Sequence, residues 1–307
     1  MPGEVPLTSP MVSVIIPTRN RPEYLRAAFA SACAQTLPPA EILVVDDGVG
    51  AAESLPPLLA PPRVPFRVLP GRGIGPAAAR NVGLRAASGE LIAFLDDDDL
   101  WHPEKLAWQV EWLTRRPDLG ALGTEVVRRP VAESIPEPGR RPRQVHLIGR
   151  AALVRANRLT TSSVLARRSC FATCGCFDET LFLAQDWDMW LRLSRRFRIA
   201  ILPAPLTVYR LHDSQRSNRN TEMRRWEAQV VSRLLEEAPE NRWLRGVAHR
   251  RLAWAHCRLG RALLRAGEPQ QAIAVLRRSL SRYPLHLPAW SALVRCALHH
   301  LSPAGAP

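Results

Sequence analysis

Four consecutive aspartates, Asp96-Asp97-Asp98-Asp99, stand directly behind the apolar run 91–95 and ahead of Leu100-Trp101. Adjacent carboxylates repel one another, so such a run persists where positive charge neutralises it. Oxygen ligands of this kind suit Mg2+ or Mn2+, which keep several waters and take phosphate oxygens at the same time. Acidic runs also occur as solvated loops; this one is pinned between apolar segments. Asp46-Asp47-Gly48 is a second acidic turn, behind the apolar run 42–45. Two such turns at strand ends of one sheet can converge on one ligand, one reading a nucleoside and the other holding metal. Taken alone, Asp-Asp-Gly is also an ordinary turn. Asp186 and Asp188 open a helical pattern over 185–198. The positive end of a helix keeps a carboxylate ionised, as a general base for a hydroxyl requires. Helix capping is the alternative role.

Other chemistries lack their residues. The stretch 71–75 (GRGIG) does not fit GxGxxG, and there is no GxxxxGK[ST], which argues against dinucleotide oxidoreduction and P-loop chemistry. Cys33, Cys170, Cys174, Cys176, Cys257 and Cys296 show no paired CxxC spacing, so free thiols are expected.

The acids need a scaffold, and the first 100 residues supply its rhythm. Residues 12–17, 41–45, 66–69 and 91–95 read as strands, with helices predicted over 23–35 and 75–87. Strand and helix in alternation predict a parallel α/β sheet, whose ligands collect at the carboxyl ends of the strands. Both acidic turns sit at such ends. Residues 128–143, rich in proline and charge, read as a mobile loop. Residues 160–167 read as a strand leaving a polar turn.

Composition shifts to helix formers after about residue 220, which places a domain boundary near residue 218. Residues 1–217 then form the α/β domain and 218–307 a small all-α segment. Leu259-Gly260, Leu263, Ala272, Leu276, Ser279 and Pro284 fall at tetratricopeptide offsets, with Trp290 and Leu293 opening a truncated second unit. So short an array needs a surface to pack on: the first domain or a protein partner. A generic helical hairpin fits equally well.

Lys and Arg number 42 against 28 Asp and Glu, a formal net charge of +14. That charge attracts phosphates of any origin. No basic stretch is interleaved with stacking aromatics, so nucleic acid is not expected; peripheral contact with an anionic membrane fits better. No apolar run approaches the ~18 residues of a spanning helix, and residues 1–10 do not read as a signal peptide. The expected location is cytoplasmic, with room for peripheral attachment to the inner membrane face.

Six stretches together resemble family 2 glycosyltransferases: VSVIIPTRNR (12–21), EILVVDDG (41–48), GPAAARNVG (75–83), GELIAFLDDDDLWHPEKL (89–106), TSSVLARR (161–168) and GCFDETLFLAQDWDMWLR (175–192). The resemblance covers about residues 11–212 and implies the GT-A fold. It implies an inverting, metal-dependent transfer from a nucleoside-diphosphate sugar to a saccharide or lipid-linked acceptor. UDP is the commonest nucleotide of the family, with GDP and dTDP open. By position, Pro17, Thr18, Arg19, Asp46 and Asp47 match nucleoside contacts, and Arg80 a basic position near the nucleotide. Asp96-Asp97-Asp98 matches the DxD motif, with Asp98 on Mg2+ or Mn2+. Asp186 matches the catalytic base; Phe177-Asp178-Glu179 and Trp187 match the acceptor side, where Asp188 also falls. The chain departs from the family at Gln185, where glutamate is usual, and Asp188 is a candidate to compensate. The competing reading is a catalytically idle scaffold that presents its helical tail to partners.

Overall fold

The computed structural model describes residues 10–48, 64–130, 135, 137–212, 220–236 and 242–301. The chain forms two compact units, Met1–Arg150 with Arg158–His212 and Ala151–Asn157 with Asp213–Pro307. The boundary expected near residue 218 lies outside the described residues.

In chain order, the strands of the first unit are β1 (Val12–Thr18), β2 (Glu41–Asp46), β3 (Phe66–Pro70), β4 (Leu91–Phe94), β5 (Asp99–Trp101), β6 (Leu119–Pro130), β7 (His146–Leu147), β8 (Leu165–Arg167) and β9 (Arg198–Leu211). They form one nine-stranded sheet in the order β3-β2-β1-β4-β8-β6-β9-β5, with β7 also on β9. The block β3-β2-β1-β4 is parallel. β8 runs antiparallel to β4 and β6, β6 and β9 are parallel, and β5 and β7 run antiparallel to β9.

Every residue of β1 is buried, as a central parallel strand requires. Pro17 is tolerated because pairing with β4 stops at Ile15↔Phe94, so its missing N–H breaks no ladder there. The helices Pro22–Cys33 and Pro76–Ala86 each begin on proline, whose missing N–H is one of the unpaired groups of a helix start. Gly83 lets the second of them lie on β1: a Cβ there would stand 2.5 Å from Ile15 Cγ2.

The second half of the sheet departs from expectation. Residues 128–130 are not loop but the end of β6, paired with Tyr209–Leu211 on β9. The helix expected over 185–198 stops at Leu193, because the chain turns through Arg195-Arg196-Phe197 and enters β9 at Arg198. Asp99, the last of the four aspartates, is already the first residue of a strand.

The second unit contains the helices Asn220–Glu236, Arg242–Arg265, Pro269–Arg282 and Leu287–Leu301. Gly260 gives close approach to the third helix, since a Cβ would meet Leu276 Cγ at 2.6 Å. Leu263, Ala272, Leu276, Ala289 and Cys296 form its core. Ser279 Oγ donates to Ala253 O at 2.7 Å, so the repeat positions interlock.

Candidate active site

The acids meet at the carboxyl ends of β1, β2 and β4. Asp46 closes β2 in register with Thr18. Its Oδ1 accepts the Gly48 N–H at 2.9 Å, while Oδ2 is buried with no partner among the described residues. Asp47 donates its N–H to Thr18 O at 2.8 Å. Its two carboxylate oxygens accept the N–H groups of Gly73 and Gly75, each at 2.8 Å. That is the work of the GRGIG stretch: Gly73 (φ +70) and Gly75 (φ +114) adopt backbone that favours glycine, wrapping the loop around Asp47. The stretch has no dinucleotide-loop motif, and this role was not visible in it.

The four aspartates are neutralised largely by the protein's own cations. Asp96 pairs with Arg80, which is buried beneath it and lies over the Phe177 ring. Arg80 Nε and Nη1 have no partner among the described residues. Asp97 accepts Thr18 Oγ1–H at 2.8 Å and lies 3.6 Å from Arg21 Nη1. Burial and then the Asp98 charge push the Asp97 carboxyl up to about 7, against the Thr18 hydrogen bond. Asp98 Oδ2 accepts from Arg21 Nη1 at 2.8 Å and stands 3.1 Å from His212 Nε2. Arg210 donates to the Asp98 and Asp97 carbonyls at 2.7 and 3.0 Å, fixing the turn from β9. Burial, then Asp98 and Asp96, raises Asp99 well above the usual carboxylate range.

Asp186 is the second residue of the helix Gln185–Leu193, entered through Ala184 at φ +60. Its Oδ1 accepts the Trp187 N–H at 2.8 Å. The short turn Thr161–Ser163 touches both Asp186 and the Asp96–Asp99 turn, and Thr18 links that turn to Asp47, so all three acidic segments share one region.

Two acceptor-side expectations need correction. Trp187 is 1% exposed, because the i, i+3, i+4 set Trp187, Trp190 and Leu191 faces the core; its ring cannot meet an acceptor as it stands. Asp188 pairs with Arg192 at 2.8 Å, and Arg192 donates onward to the Cys174 and Cys176 carbonyls at 2.6 and 2.8 Å. It braces a turn and is not placed to replace a missing glutamate. The Asn81 side-chain amide donates to the Phe177 carbonyl and accepts the Phe177 N–H, and Glu179 joins Asn81 to Arg72. Arg19 is exposed, 3.5 Å from the Gly73 carbonyl, and Pro17 is buried within β1.

Among the described residues no three His, Cys, Asp or Glu side chains are grouped to hold a metal ion. Mg2+ and Mn2+ sites of this class need fewer: one or two protein ligands, completed by water and phosphate oxygens. Asp98 Oδ2 and His212 Nε2, 3.1 Å apart, match the edge of an octahedron with bonds of about 2.1 Å. The Asp98 carboxylate suits either ion, and the His212 imidazole beside it favours Mn2+ over the more oxygen-selective Mg2+, so the residues fit the group. His212 carries no local sequence signal; it lies 114 residues from Asp98.

The family profile described as Glycosyl transferase family 2 matches residues 13–167, and a tetratricopeptide-repeat profile matches 248–296. The chain belongs to glycosyl transferase family 2. It is 29% identical over 231 residues to an uncharacterized glycosyltransferase, YwdF, of Bacillus subtilis, covering 74% of this chain and 83% of that one. It is 28% identical over 214 residues to an uncharacterized glycosyltransferase of Rickettsia typhi, covering 68% and 67%. Its fold is that of TarS 1-349 of S. aureus in complex with UDP-GlcNAc, with a TM-score of 0.65, 17% identity and coverage of 93% and 89%. It spans 54% of the longer TarS chain. It is also similar to the mannosyltransferase PcManGT of Pyrobaculum calidifontis in complex with GDP-Man and Mn2+, at a TM-score of 0.64, 20% identity and coverage of 97% and 82%. This family 2 enzyme is thus a glycosyltransferase of GT-A fold with a tetratricopeptide-like segment. None of its described helices is long and apolar enough to cross a membrane.

Proposed function

We propose that the enzyme moves a sugar from a nucleoside-diphosphate sugar, UDP-linked in the first instance, to an acceptor hydroxyl with inversion at the anomeric carbon. The observation that carries this is the Asp96–Asp98 turn held between Arg80 and His212 at the carboxyl ends of the parallel strands. Asp46, with one buried oxygen unmet, and Thr18 beside it fit a nucleoside that brings its own donors. Pro17, Arg19 and Asp47 complete that side; Asp47 does so mainly by fixing the glycine loop. The buried Arg80 guanidinium, with two N–H groups unmet, fits a diphosphate oxygen.

Asp98 and His212 would hold Mg2+ or Mn2+. The cation, when bound, supplies positive charge against the leaving diphosphate. Asp186, at its helix start, takes the proton from the acceptor hydroxyl as that oxygen attacks. Two captured reactants held in line need no further chemistry from the protein. The +14 charge suits an anionic or lipid-linked acceptor of the kind used in surface polysaccharide or glycolipid assembly, met peripherally at an anionic membrane.

The test is thermal protection and nucleotide release with UDP, UDP-GlcNAc and GDP-mannose, each with and without Mn2+. A donor that protects and turns over only with Mn2+ is the expected result. No protection and no turnover by any of the three would refute the reading.

A further inference from the structure

Three hydroxyl residues in a row, Thr161, Ser162 and Ser163, are buried at 4%, 0% and 0% exposure in the turn before β8. Buried hydroxyls are costly unless they are hydrogen-bonded, so their partners show what they are for. Ser163 closes on its own turn, donating to Thr160 O at 2.7 Å. The other two reach outward, to opposite sides of the site.

Ser162 Oγ accepts the Asp96 N–H at 3.0 Å and donates to Asp99 Oδ2 at 2.5 Å. It therefore grips both ends of the four-aspartate turn. Its carbonyl accepts Trp101 Nε1–H at 2.7 Å, which ties the turn to β5 as well. One residue earlier, Thr161 Oγ1 stands 3.4 Å from Asp186 Oδ2. That is long for an O–H···O bond, as contacts to catalytic groups often are before substrate binds. The backbone between them is held from both sides. Trp190, on the helix of Asp186, donates to Leu159 O at 3.1 Å, and Gln109 donates to Ser163 O at 2.9 Å.

We propose that Thr161 and Ser162 are positioning residues that fix the separation between the nucleotide-side acids and the catalytic base. The inference rests on the reading of Asp98 and Asp186 given above. Adjacent residues on a rigid turn cannot move apart, so the span from the leaving diphosphate to the base is set by one peptide unit. Ser162 acts on the donor half, through the register of the acidic turn. Thr161 acts on the base half, through the orientation of Asp186.

The two halves separate kinetically. The measurement is nucleotide release by the full chain, with water as acceptor and Mn2+ present, using whichever of UDP-GlcNAc and GDP-mannose protects in the assay above. Ser162→Ala raises the donor KM and the Mn2+ concentration for half activity about tenfold, a fraction of the ~100-fold that a 1 Å misplacement costs. Thr161→Val lowers kcat by a similar factor of about ten at unchanged donor KM, and Thr161→Ser restores it. Ser163→Ala, the structural control, lowers Tm and leaves both constants in place. KM and kcat moving together in Ser162→Ala and Thr161→Val, or both variants behaving as Ser163→Ala does, would overturn the bridge. Asp186→Asn with wild-type turnover would overturn the assignment beneath it. An inactive Asp186→Asn beside a wild-type-like Thr161→Val would overturn the bridge alone.

Discussion

Each unit of the molecule packs arginine against carboxylate, and the two clusters are balanced in opposite directions. In the sheet unit, four consecutive aspartates face three arginines, Arg21, Arg80 and Arg210, together with His212. Asp97, between its charged neighbours, is pushed up to about 7 by burial and then by Asp98. In the helical unit, Glu227 faces Arg224 at 2.6 Å, Arg251 at 3.3 Å and Arg258 at 3.9 Å. Burial lowers the Arg251 and Arg258 pKa values, and Glu227 counters it. Buried charge as such therefore does not mark a site. The acids of the first cluster are consecutive on the chain and stand where a parallel sheet opens, so they ask for a cation. Glu227 is supplied in excess by neighbouring helix turns, and joins them.

The largest effect expected is on chemistry. Asp186→Asn and Asp98→Ala should each reduce nucleotide release about 10²- to 10⁴-fold, the range that a positioned base or charge supplies. Neither should unfold the protein: Asp98→Ala gives up the Arg21 and His212 contacts but relieves repulsion on Asp97 and Asp99, and Asp186→Asn keeps an oxygen to accept the Trp187 N–H. Wild-type turnover by either variant, measured at saturating donor and Mn2+, removes that residue from its role.

Next is Glu227→Gln. It leaves Arg224 and Arg251 facing each other, with Arg251 9% exposed, and should cost roughly 3 kcal/mol of stability. Arg258 adds little, since it is 45% exposed and screened. Denaturant unfolding of the full chain, followed by helical signal, checks this. An unchanged curve would show that the cluster is ornament and erase the contrast with the aspartate turn.

A smaller pair sharpens the same contrast through packing. Gly83→Ala brings a Cβ to 2.5 Å from Ile15 Cγ2, and Gly260→Ala brings one to 2.6 Å from Leu276 Cγ. Overpacking costs about 1–3 kcal/mol, against about 1 kcal/mol gained by replacing a helical glycine. Ile15 is β-branched and held in the centre of the sheet, whereas Leu276 can turn at its end. Gly83→Ala should thus destabilise more than Gly260→Ala in thermal unfolding; the reverse order would mean the sheet yields more easily than the helices.

The parallel half of the sheet was legible because its strands are short, mostly apolar runs closed by Asp or Pro, a signal local to each run. The mixed half was not. β9 carries two prolines and alternates unevenly, and β5 is three residues long, so neither shows a period. The acids were legible for the same reason: Asp46, Asp47 and Asp96–Asp99 follow strands directly. Their counter-charges were not, because Arg21 and Arg210 reach the turn from 77 and 112 residues away and only the fold brings them there. Trp187 was misplaced although its helical spacing with Trp190 and Leu191 already put it on the apolar face.

The smallest effect is on pH dependence, read one group at a time in each unit. In the helical unit, burial and then Arg282 and Arg278 lower His256 from 6.5 to about 4. The unfolded chain takes the proton first, so the stability contributed by neutral His256 is complete above 6.5 and drains away as pH falls toward 4. In the sheet unit, burial would raise Glu41, but hydrogen bonds from Ser88, Ser13 and Arg67 hold it at about 2 against a usual 4.5. Its contribution is complete above 4.5 and is lost between there and about 2. Each group is isolated by its own neutral variant. Relative to wild type, His256→Gln should lose the fall in Tm that His256 adds between pH 6.5 and 4, and leave lower pH unchanged. Glu41→Gln should flatten it only below pH 4.5. If His256→Gln follows the wild-type curve through the upper window, neither burial nor the arginines around His256 hold it neutral. The opposed balance of the two clusters would then be confined to Glu227 and its immediate partners.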